Sequence, residues 1–270
     1  MKKSDKRAKF LKKSKESVKE AMMSRDMLLG SVTKSIENLD KTINLLGEQL
    51  EEWYSIYFPE LKAADRVKYA ELVTVLDRED IDEKELASLV GDKKAAEISA
   101  AAKNSLGAKL SSKDLSQCIA LAKFIISLDK QRSKYEEYQK ELAEELCPNL
   151  SEVAGPEIAA KLVAHMGSLS KLALLPASAV QVIGAEKALF KHLKNKKIPP
   201  PKHGIIFQHV RISASPKKVR GKIARTLANK ITLAVKADAF SKRSISAQIK
   251  KDFDERYTEI MKQYEKQKKK

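Results

Sequence analysis

The chain has 270 residues, of which 43% are hydrophobic and 33% charged, and its 53 Lys and Arg against 36 Asp and Glu give a net charge of +17. This length and hydrophobic content are enough to bury a core, so one or two domains are expected. Only nine Gly and eight Pro occur, and the abundance of Ala, Leu, Lys and Glu argues against a β sandwich. We therefore predict an all-α protein.

Several other classes are disfavoured by what the sequence lacks. Two cysteines, Cys118 and Cys147, provide no disulfide framework and no CxxC metal spacing. No apolar run approaches the roughly 18 to 20 residues of a membrane span, and the Lys-rich start lacks the apolar core of a signal peptide. We expect a soluble cytoplasmic protein with reduced thiols.

The charge is distributed unevenly along the chain. Residues 1–25 carry a net +7, residues 26–183 a net −7, residues 184–243 a net +14 and residues 244–270 a net +3. Between residues 184 and 243, sixteen Lys and Arg face only Glu186 and Asp238, and Gly, Pro and His interrupt the charges. This pattern is typical of a folded basic surface. It predicts a polyanionic partner, above all nucleic acid, because each neutralised phosphate releases condensed counterions.

Two long helices are predicted before this basic segment. Apolar residues recur every three or four positions from Leu29 to Tyr57, and a heptad repeat runs from Leu115 to Leu146. Such apolar seams require partner helices. We predict that the two helices pair as a long antiparallel coiled-coil hairpin, with shorter helices from Pro59 to Ser112 at its tip. The seam, which is also the candidate dimer surface, comprises Ile36, Leu39, Ile43, Leu46, Leu50, Trp53, Leu121, Leu128, Tyr135 and Leu142.

Helix ends are marked within and after the tip. Asp82 and Ser111 are predicted N-caps, and Asn104 to Gly107 a helix stop. The acids from Asp77 to Glu85 lack the spacing of a calcium loop, so solvated charge is favoured over metal binding. Gly155-Pro156 is predicted to be the corner where a core helix of a compact domain begins.

The basic segment is predicted to contain two helices separated by a loop. The first, from about Ser178 to Leu193, is expected to bury Leu189 and Phe190 in the core. The prolines at 199–201 forbid a helix, so residues 194–204 form an extended loop. The second helix spans about Lys217 to Ala239, and its predicted buried stripe is Val219, Ile223, Leu227, Ile231 and Val235.

Several motifs occur in order along this region. They are Gly184-Ala185-Glu186-Lys187-Ala188-Leu189-Phe190, then Pro201-Lys202-His203-Gly204, then Arg220-Gly221-Lys222-Ile223-Ala224-Arg225, preceded by Glu51-Glu52-Trp53-Tyr54, Pro148-Asn149-Leu150 and His165-Met166-Gly167. Together they resemble the Nop domain, in particular that of the archaeal scaffold proteins of box C/D small ribonucleoproteins, over residues 24–241. An ordered series of motifs is more specific than any single match.

The resemblance implies a compact all-helical Nop domain. It implies binding to a box C/D guide RNA with a kink-turn, together with a ribosomal-type kink-turn-binding protein, and homodimerisation through the hairpin. It also implies recruitment of the methyltransferase fibrillarin by a further N-terminal domain that has no counterpart in residues 1–27, so direct fibrillarin binding is in doubt. The chain would then be an archaeal, non-catalytic scaffold for RNA-guided 2′-O-methylation in rRNA processing.

We predict four parts from these patterns: a basic linker helix at 1–27, the hairpin at 28–147, the Nop domain at 148–243, and a C-terminal helix with a basic tail at 244–270. The candidate RNA contacts are the basic and polar side chains of the third part. They are Lys187, Lys191, Lys196, Lys197, Lys202, His203, Gln208, His209, Arg211, Arg220, Lys222, Arg225 and Lys230.

Two further assignments concern neighbouring residues. By resemblance, Gly184, Ala185, Glu186 and Lys187 lie near the end of the guide and substrate duplex, and a packed helix start is the alternative. His165 is predicted to be an interior residue. His192, His203 and His209 could be imagined as a metal site, but they lack neighbouring Cys and paired-His spacing, so RNA binding is favoured.

No catalytic machinery is recognisable in the sequence. It contains no phosphate-binding Gly-rich loop, nucleophile elbow or carboxylate cluster in the basic segment, so we predict neither an enzyme nor a bound cofactor or metal. Two other functions stay open: a spliceosomal-type Nop RNA scaffold, and a coiled-coil dimerisation module whose basic surface meets an acidic protein or a membrane.

Overall fold

The computed structural model describes residues 3–23 and 25–268, which form helices and connecting turns and contain no strand. This confirms the all-α prediction. None of the helices in these ranges is both long and apolar enough to cross a membrane.

The α-helices are α1 Lys3–Met23, α2 Arg25–Tyr54, α3 Arg66–Val75, α4 Glu83–Val90, α5 Asp92–Lys103, α6 Ser112–Leu146, α7 Pro148–Ala154, α8 Pro156–Met166, α9 Leu169–Ala173, α10 Ala177–Val182, α11 Glu186–Lys194, α12 Val210–Ser213, α13 Arg220–Lys236 and α14 Ser246–Lys268. A 3₁₀ turn spans Ile205–Gln208 and a π-helical segment spans Ala237–Ser241.

The chain forms two compact units. The first contains residues 1–34 and 137–270, and the second contains residues 35–136. Both α2 and α6 contribute residues to each unit. The four-part division made from the sequence stays a prediction.

The second unit is built around buried aromatic and aliphatic side chains, among them Leu50, Tyr54, Phe58 and Ile125. The Tyr54 hydroxyl donates to the Leu76 carbonyl oxygen at 3.0 Å, so its polar end is satisfied inside the core. The predicted N-cap Asp82 accepts from the backbone N–H groups of Lys84 and Glu85. Local cap chemistry thus sets the start of α4 as expected.

In the first unit, α2 and α6 make contacts in antiparallel order. Arg25 pairs with Glu145, whereas further along α2 Thr33 accepts a hydrogen bond from Gln139 Nε2 at 2.8 Å. In the second unit, Arg132 pairs with Asp40. Coiled-coil packing of the pair stays a prediction.

The predicted seam is buried unevenly. Ile36, Ile43, Leu50 and Leu142 are buried. The half-buried members are Leu39, Leu46, Leu121, Leu128 and Tyr135. Trp53 is 52% exposed, so a single chain does not bury it as the seam pattern suggests.

Helix α13 is central to the first unit. Its stripe of Val219, Ile223, Leu227, Ile231 and Val235 is buried as predicted, and α7, α10 and α14 pack against it. Gly155, at φ +91°, separates α7 from α8, which confirms the predicted corner, since glycine adopts positive φ without steric cost.

The predicted continuous helix from Ser178 to Leu193 is wrong. It is divided into α10 and α11 by a turn in which Gly184 has φ +84°. A β-carbon on Gly184 would also lie 2.7 Å from Cγ1 of Ile205. Because α11 is turned away from the core, none of its residues is buried and Phe190 is 65% exposed. The assignment of Leu189 and Phe190 to the core is therefore wrong as well.

Candidate nucleic-acid interface

The proline-containing loop after α11 returns to the first unit through backbone hydrogen bonds to the end of α10. The Gly204 N–H donates to the Gln181 carbonyl oxygen at 3.0 Å, and the Ile205 N–H donates to the Ile183 carbonyl oxygen at 2.7 Å. A β-carbon on Gly204 would lie 1.8 Å from the Ile183 oxygen. Glycine at this position is thus required for the close approach of two backbone segments.

Lys202 brings this loop onto the start of α13. A β-carbon on Gly221 would lie 3.6 Å from Cδ of Lys202, in ordinary van der Waals contact. The aliphatic part of Lys202 therefore lies across Gly221, while the residue as a whole is exposed. A lysine in this arrangement buries its stem and keeps its ammonium group in solvent.

One face of α13 carries unpaired cations. Lys218, Lys222, Arg225 and Lys236 are exposed, and none of them forms an ion pair within the described ranges. Spacings of three and eleven residues place Lys222, Arg225 and Lys236 on one side of the helix, opposite the buried stripe. Lys218 lies in the turn just before α13. We call the five residues Lys202, Lys218, Lys222, Arg225 and Lys236 the α13 face.

His203 and Arg220 flank the same aromatic ring. The imidazole of His203 stacks on Phe207 with centroids 4.5 Å apart, and the Arg220 guanidinium lies 5.2 Å from the Phe207 centroid. Burial lowers the pKa of His203, and the positive charges of Arg220 and Lys202 lower it further. His203 is consequently favoured as a neutral stacking group over a cation.

The guanidinium of Arg220 forms hydrogen bonds to backbone carbonyl oxygens of its own chain. Its Nε donates to the Ser215 carbonyl oxygen at 2.7 Å and its Nη2 to the Ser213 carbonyl oxygen at 2.8 Å. It closes the turn between α12 and α13, so the predicted RNA contact by Arg220 would require these bonds to break.

Two other predicted RNA contacts form ion pairs with α14. The Arg211 guanidinium lies 2.8 Å from the Asp254 carboxylate, and the Lys230 ammonium lies 2.8 Å from the Asp252 carboxylate. These contacts join α12 and α13 to α14.

Gln208 and His209 are also engaged within the first unit. Gln208 accepts from the Lys161 ammonium at 2.9 Å. His209 accepts from the Arg211 N–H at the start of α12, and its ring meets Phe253 edge-on with centroids 5.7 Å apart. Burial lowers the pKa of His209, followed in size by the charge of Arg211. The His209 ring contributes to packing, whereas Gln208 is exposed and contributes a surface hydrogen bond.

The Gly184 to Lys187 motif forms the turn that begins α11. Glu186 Oε1 accepts from the Gly184 N–H at 2.7 Å and from His165 Nε2 at 2.9 Å. Although burial raises the pKa of Glu186, the backbone N–H groups and His165 outweigh it and lower that pKa. His165 is exposed and bonded to α11, so its assignment to the interior is wrong. A position near the guide duplex stays a prediction for this motif.

Asp238, the second acidic residue between residues 184 and 243, is buried in the core. Asp238 is 1% exposed and accepts from both nitrogens of Asn149 and from the Leu150 N–H, at 2.6 to 3.1 Å. A remote carboxylate thus satisfies the free N–H groups at the start of α7. With Glu186 held by His165, neither acid opposes the cations of the α13 face.

The remaining predicted contacts lie on α11 and the loop. Lys187, Lys191, Lys196 and Lys197 are exposed. They stay candidates alongside the α13 face, and each can approach a phosphate without breaking an ion pair within the described residues.

Sequence reasoning missed Gln181, Gly221, Asp252 and Asp254. The acids could have been suspected, because α14 carries them beside the apolar positions Ile249 and Phe253 that enter the core. Gln181 gave no signal, and Gly221 was noted only as part of the motif from Arg220 to Arg225, since the roles of both residues arise from segments that meet only after folding.

The described residues offer no arrangement that supports metal ligation. Across residues 3–23 and 25–268, no three His, Cys, Asp or Glu side chains converge as a metal site. His192 contacts the Ile198 carbonyl oxygen, away from the separate partners of His203 and His209. Burial raises the pKa of the Cys147 thiol to about 12, which disfavours the thiolate needed for metal binding or nucleophilic attack.

Comparison with known proteins identifies a family and several relatives to which this chain is similar. The Nop family model, described as "snoRNA binding domain, fibrillarin", matches residues 35–261. A NOP5 family protein of Methanocaldococcus jannaschii is 40% identical over 256 residues, covering 94% of this chain and 61% of that protein. Nucleolar protein 56 of Caenorhabditis elegans is 40% identical over 221 residues, covering 78% of this chain and 45% of that protein.

A solved structure is also similar. In a crystal structure of a fibrillarin/Nop5p complex, one chain aligns with a TM-score of 0.54 and 27% identity, covering 94% of this chain and 78% of that chain. The present chain spans about half to three fifths of the length of the two curated relatives.

Proposed function

Because the chain belongs to the Nop family, we propose that it is a non-catalytic scaffold of a box C/D ribonucleoprotein that guides 2′-O-methylation of RNA. It binds a kink-turn guide RNA together with the kink-turn-binding protein. Fibrillarin, recruited to the same particle, supplies the methyl transfer. The proposed location is the cytoplasm.

The observation that carries this proposal is the contact of Lys202 with Gly221. It joins a proline-stiffened loop to the cations of α13, so that Lys202, Lys222 and Arg225 present charge from two segments of one domain. Flexible lysines on a disordered tail would have to be ordered by RNA. Lysines on a folded surface lose less entropy on binding, and their phosphate contacts position the RNA without reading its sequence.

The interior contacts narrow the candidates for RNA binding. Arg211, Arg220 and Lys230 already bond to protein groups, so using them would require breaking those bonds. The α13 face and the lysines of α11 and the loop carry no such cost. We assign the phosphate contacts to this second set.

Homodimerisation is part of the proposal. In the second unit, Trp53 is 52% and Phe124 53% exposed, and Leu39 and Leu46 are only half-buried. A second copy of the two long helices would cover such apolar surface. Replacing Leu39 and Leu46 with Asp is expected to convert a dimer to a monomer in sedimentation, and an unchanged sedimentation coefficient would contradict this assignment.

The RNA assignment is tested by binding in a salt series. A kink-turn RNA saturated with its cognate protein is titrated with wild type and with Lys222→Ala/Arg225→Ala. Removing two phosphate contacts is expected to reduce the slope of log affinity against log salt by about 1.4 to 1.8. The matched control is Lys41→Ala/Lys134→Ala, which removes two exposed cations of the second unit.

Each outcome has a defined meaning. A reduced slope for the α13 variant alone supports the proposal. Equal slopes for all three proteins would overturn the assignment of the α13 face. Failure of wild type to bind the RNA and protein complex would overturn the scaffold function and favour a dimerisation module with an acidic partner.

A further inference from the structure

Lys202 and His203 follow a stretch of the loop that contains three prolines and is largely exposed. Residues 199–201 are prolines and have no N–H to donate. Residues 196–200 are exposed. The segment at Lys202 is held by the stack of His203 on Phe207 and by the backbone groups that immediately flank His203.

Those flanking groups both bond to Gln181 on α10. The side-chain Nε2 of Gln181 donates to the Lys202 carbonyl oxygen at 2.7 Å. The carbonyl oxygen of Gln181 accepts from the Gly204 N–H at 3.0 Å. One residue thus brackets His203 from both sides.

We propose that Gln181 is a positioning residue for RNA binding, which acts by holding the Lys202 peptide so that the lysine lies across Gly221. This inference rests on the proposed function and adds a residue with no charge of its own to the RNA-binding apparatus. The backbone bond to Gly204 survives any substitution at 181. The side-chain bond is the part that a variant can remove.

The physical consequence of losing that bond is rotation of the Lys202 peptide. With its carbonyl released, Lys202 can leave Gly221 and sample orientations that do not join the α13 face. Each bound complex must then restrict those orientations again, which weakens binding. No cation is lost, so the number of phosphate contacts in the bound state, and hence the salt slope, is unchanged.

Gln181→Met tests this, because methionine is similar in length and cannot donate a hydrogen bond. Affinity for the kink-turn RNA and protein complex is measured for wild type, Gln181→Met, Lys202→Ala and the double variant. We expect a three- to tenfold loss for Gln181→Met with an unchanged salt slope. In the Lys202→Ala background the same substitution should change affinity less than twofold, since its effect passes through Lys202.

Gln117→Met in the second unit, where Gln117 is exposed, is the matched control and should bind as wild type. An equal loss from Gln181→Met with and without Lys202 would overturn the proposal, because Gln181 would then act independently. No loss in either background would overturn it too.

A second measurement needs no RNA. Hydrogen exchange of the peptide covering 201–207 should be faster in Gln181→Met than in wild type, while exchange within α13 stays the same. Unchanged exchange in 201–207 would show that the Gln181 side chain does not hold this segment, which would contradict the proposal. Failure of wild type to bind RNA would instead count against the proposed function, so the two failures are distinguishable.

Discussion

Arg211 and Asp254 tie the short helix α12 to α14 by an ion pair of 2.8 Å, and the same guanidinium lies 4.6 Å from the centroid of Tyr257. Both partners of this arginine are on α14, a helix whose Phe253 enters the core. An arginine from the most basic segment of the chain is thereby used to close the domain, and its charge is largely neutralised there.

The first prediction concerns this arginine. Arg211→Ala should lower the free energy of unfolding by about 0.5 to 2 kcal/mol, because it loses a partly exposed ion pair and a cation–π contact. Urea unfolding measures this change. A double-mutant cycle with Asp254→Ala should show coupling between the two residues. The opposite pattern, in which stability is unchanged and the RNA salt slope falls, would show that Arg211 is a phosphate contact.

A second prediction concerns Gly204. Gly204→Ala would place a carbon 1.8 Å from the Ile183 carbonyl oxygen, so the loop must move away from α10. We expect a loss of about 1 to 3 kcal/mol, measured by thermal unfolding, and weaker RNA binding because Lys202 moves with the loop. Gly91→Ala is a useful comparison, since no atom lies within 4 Å of a β-carbon there and the strain comes from its positive φ of +84°, whereas Gly204 has a φ of −118°. A Gly204→Ala protein as stable as wild type would exclude the close approach.

The third prediction compares an exposed apolar residue of α11 with a buried apolar residue of α13. Phe190→Ala should change the free energy of unfolding by less than about 0.5 kcal/mol, because its side chain is 65% exposed. Leu227→Ala, at a fully buried position on α13, should cost about 2 to 5 kcal/mol. Chemical denaturation of both variants provides the comparison. Similar losses for the two would mean that α11 packs into the core after all.

The fourth prediction is a pH dependence. His209 has a pKa below its usual 6.5 in the folded protein because of burial and then Arg211. Below about pH 6.5 the unfolded chain therefore binds more protons than the folded one, and stability is lost as the pH falls through the folded pKa. His203 acts in the same direction. The loss of unfolding free energy between pH 7.5 and 5 should be smaller in His209→Phe, which retains an aromatic ring against Phe253. An identical pH dependence in that variant would remove His209 as a cause.

The fifth prediction tests the buried carboxylate. Asp238→Ala removes the acceptor for three N–H donors at the start of α7. The backbone N–H groups of Asn149 and Leu150 would be left buried without that acceptor, whereas Asn149 Nδ2 keeps its bond to the Arg243 carbonyl oxygen. We expect a loss of about 3 kcal/mol or more, measured in urea. Glu152→Ala is the control, because Glu152 lies on the same helix and its ion pair with Lys250 is about half exposed. Equal effects would argue against a buried cap.

Prediction from sequence succeeded where the physical cause is local. The buried stripe of α13 follows from apolar residues at helical spacing, and the corner at Gly155 follows from the adjacent glycine and proline. Asp82 caps α4 through its own neighbours. The helix expected from Ser178 to Leu193 failed because Gly184 adopts a positive φ under Ile205, a contact with a residue about twenty positions away.

The sequence alone determined the helical class, the approximate positions of the long helices α2, α6 and α13, and the concentration of charge between residues 184 and 243, because periodicity and composition are properties of neighbouring residues. Only the tertiary structure decided which cations are free. Arg211 and Lys230 pair with acids of α14, whereas Lys202 lies across Gly221 and stays exposed to solvent. Whether a cation pairs with an acid depends on distances between segments remote in the chain, and folding alone sets those distances.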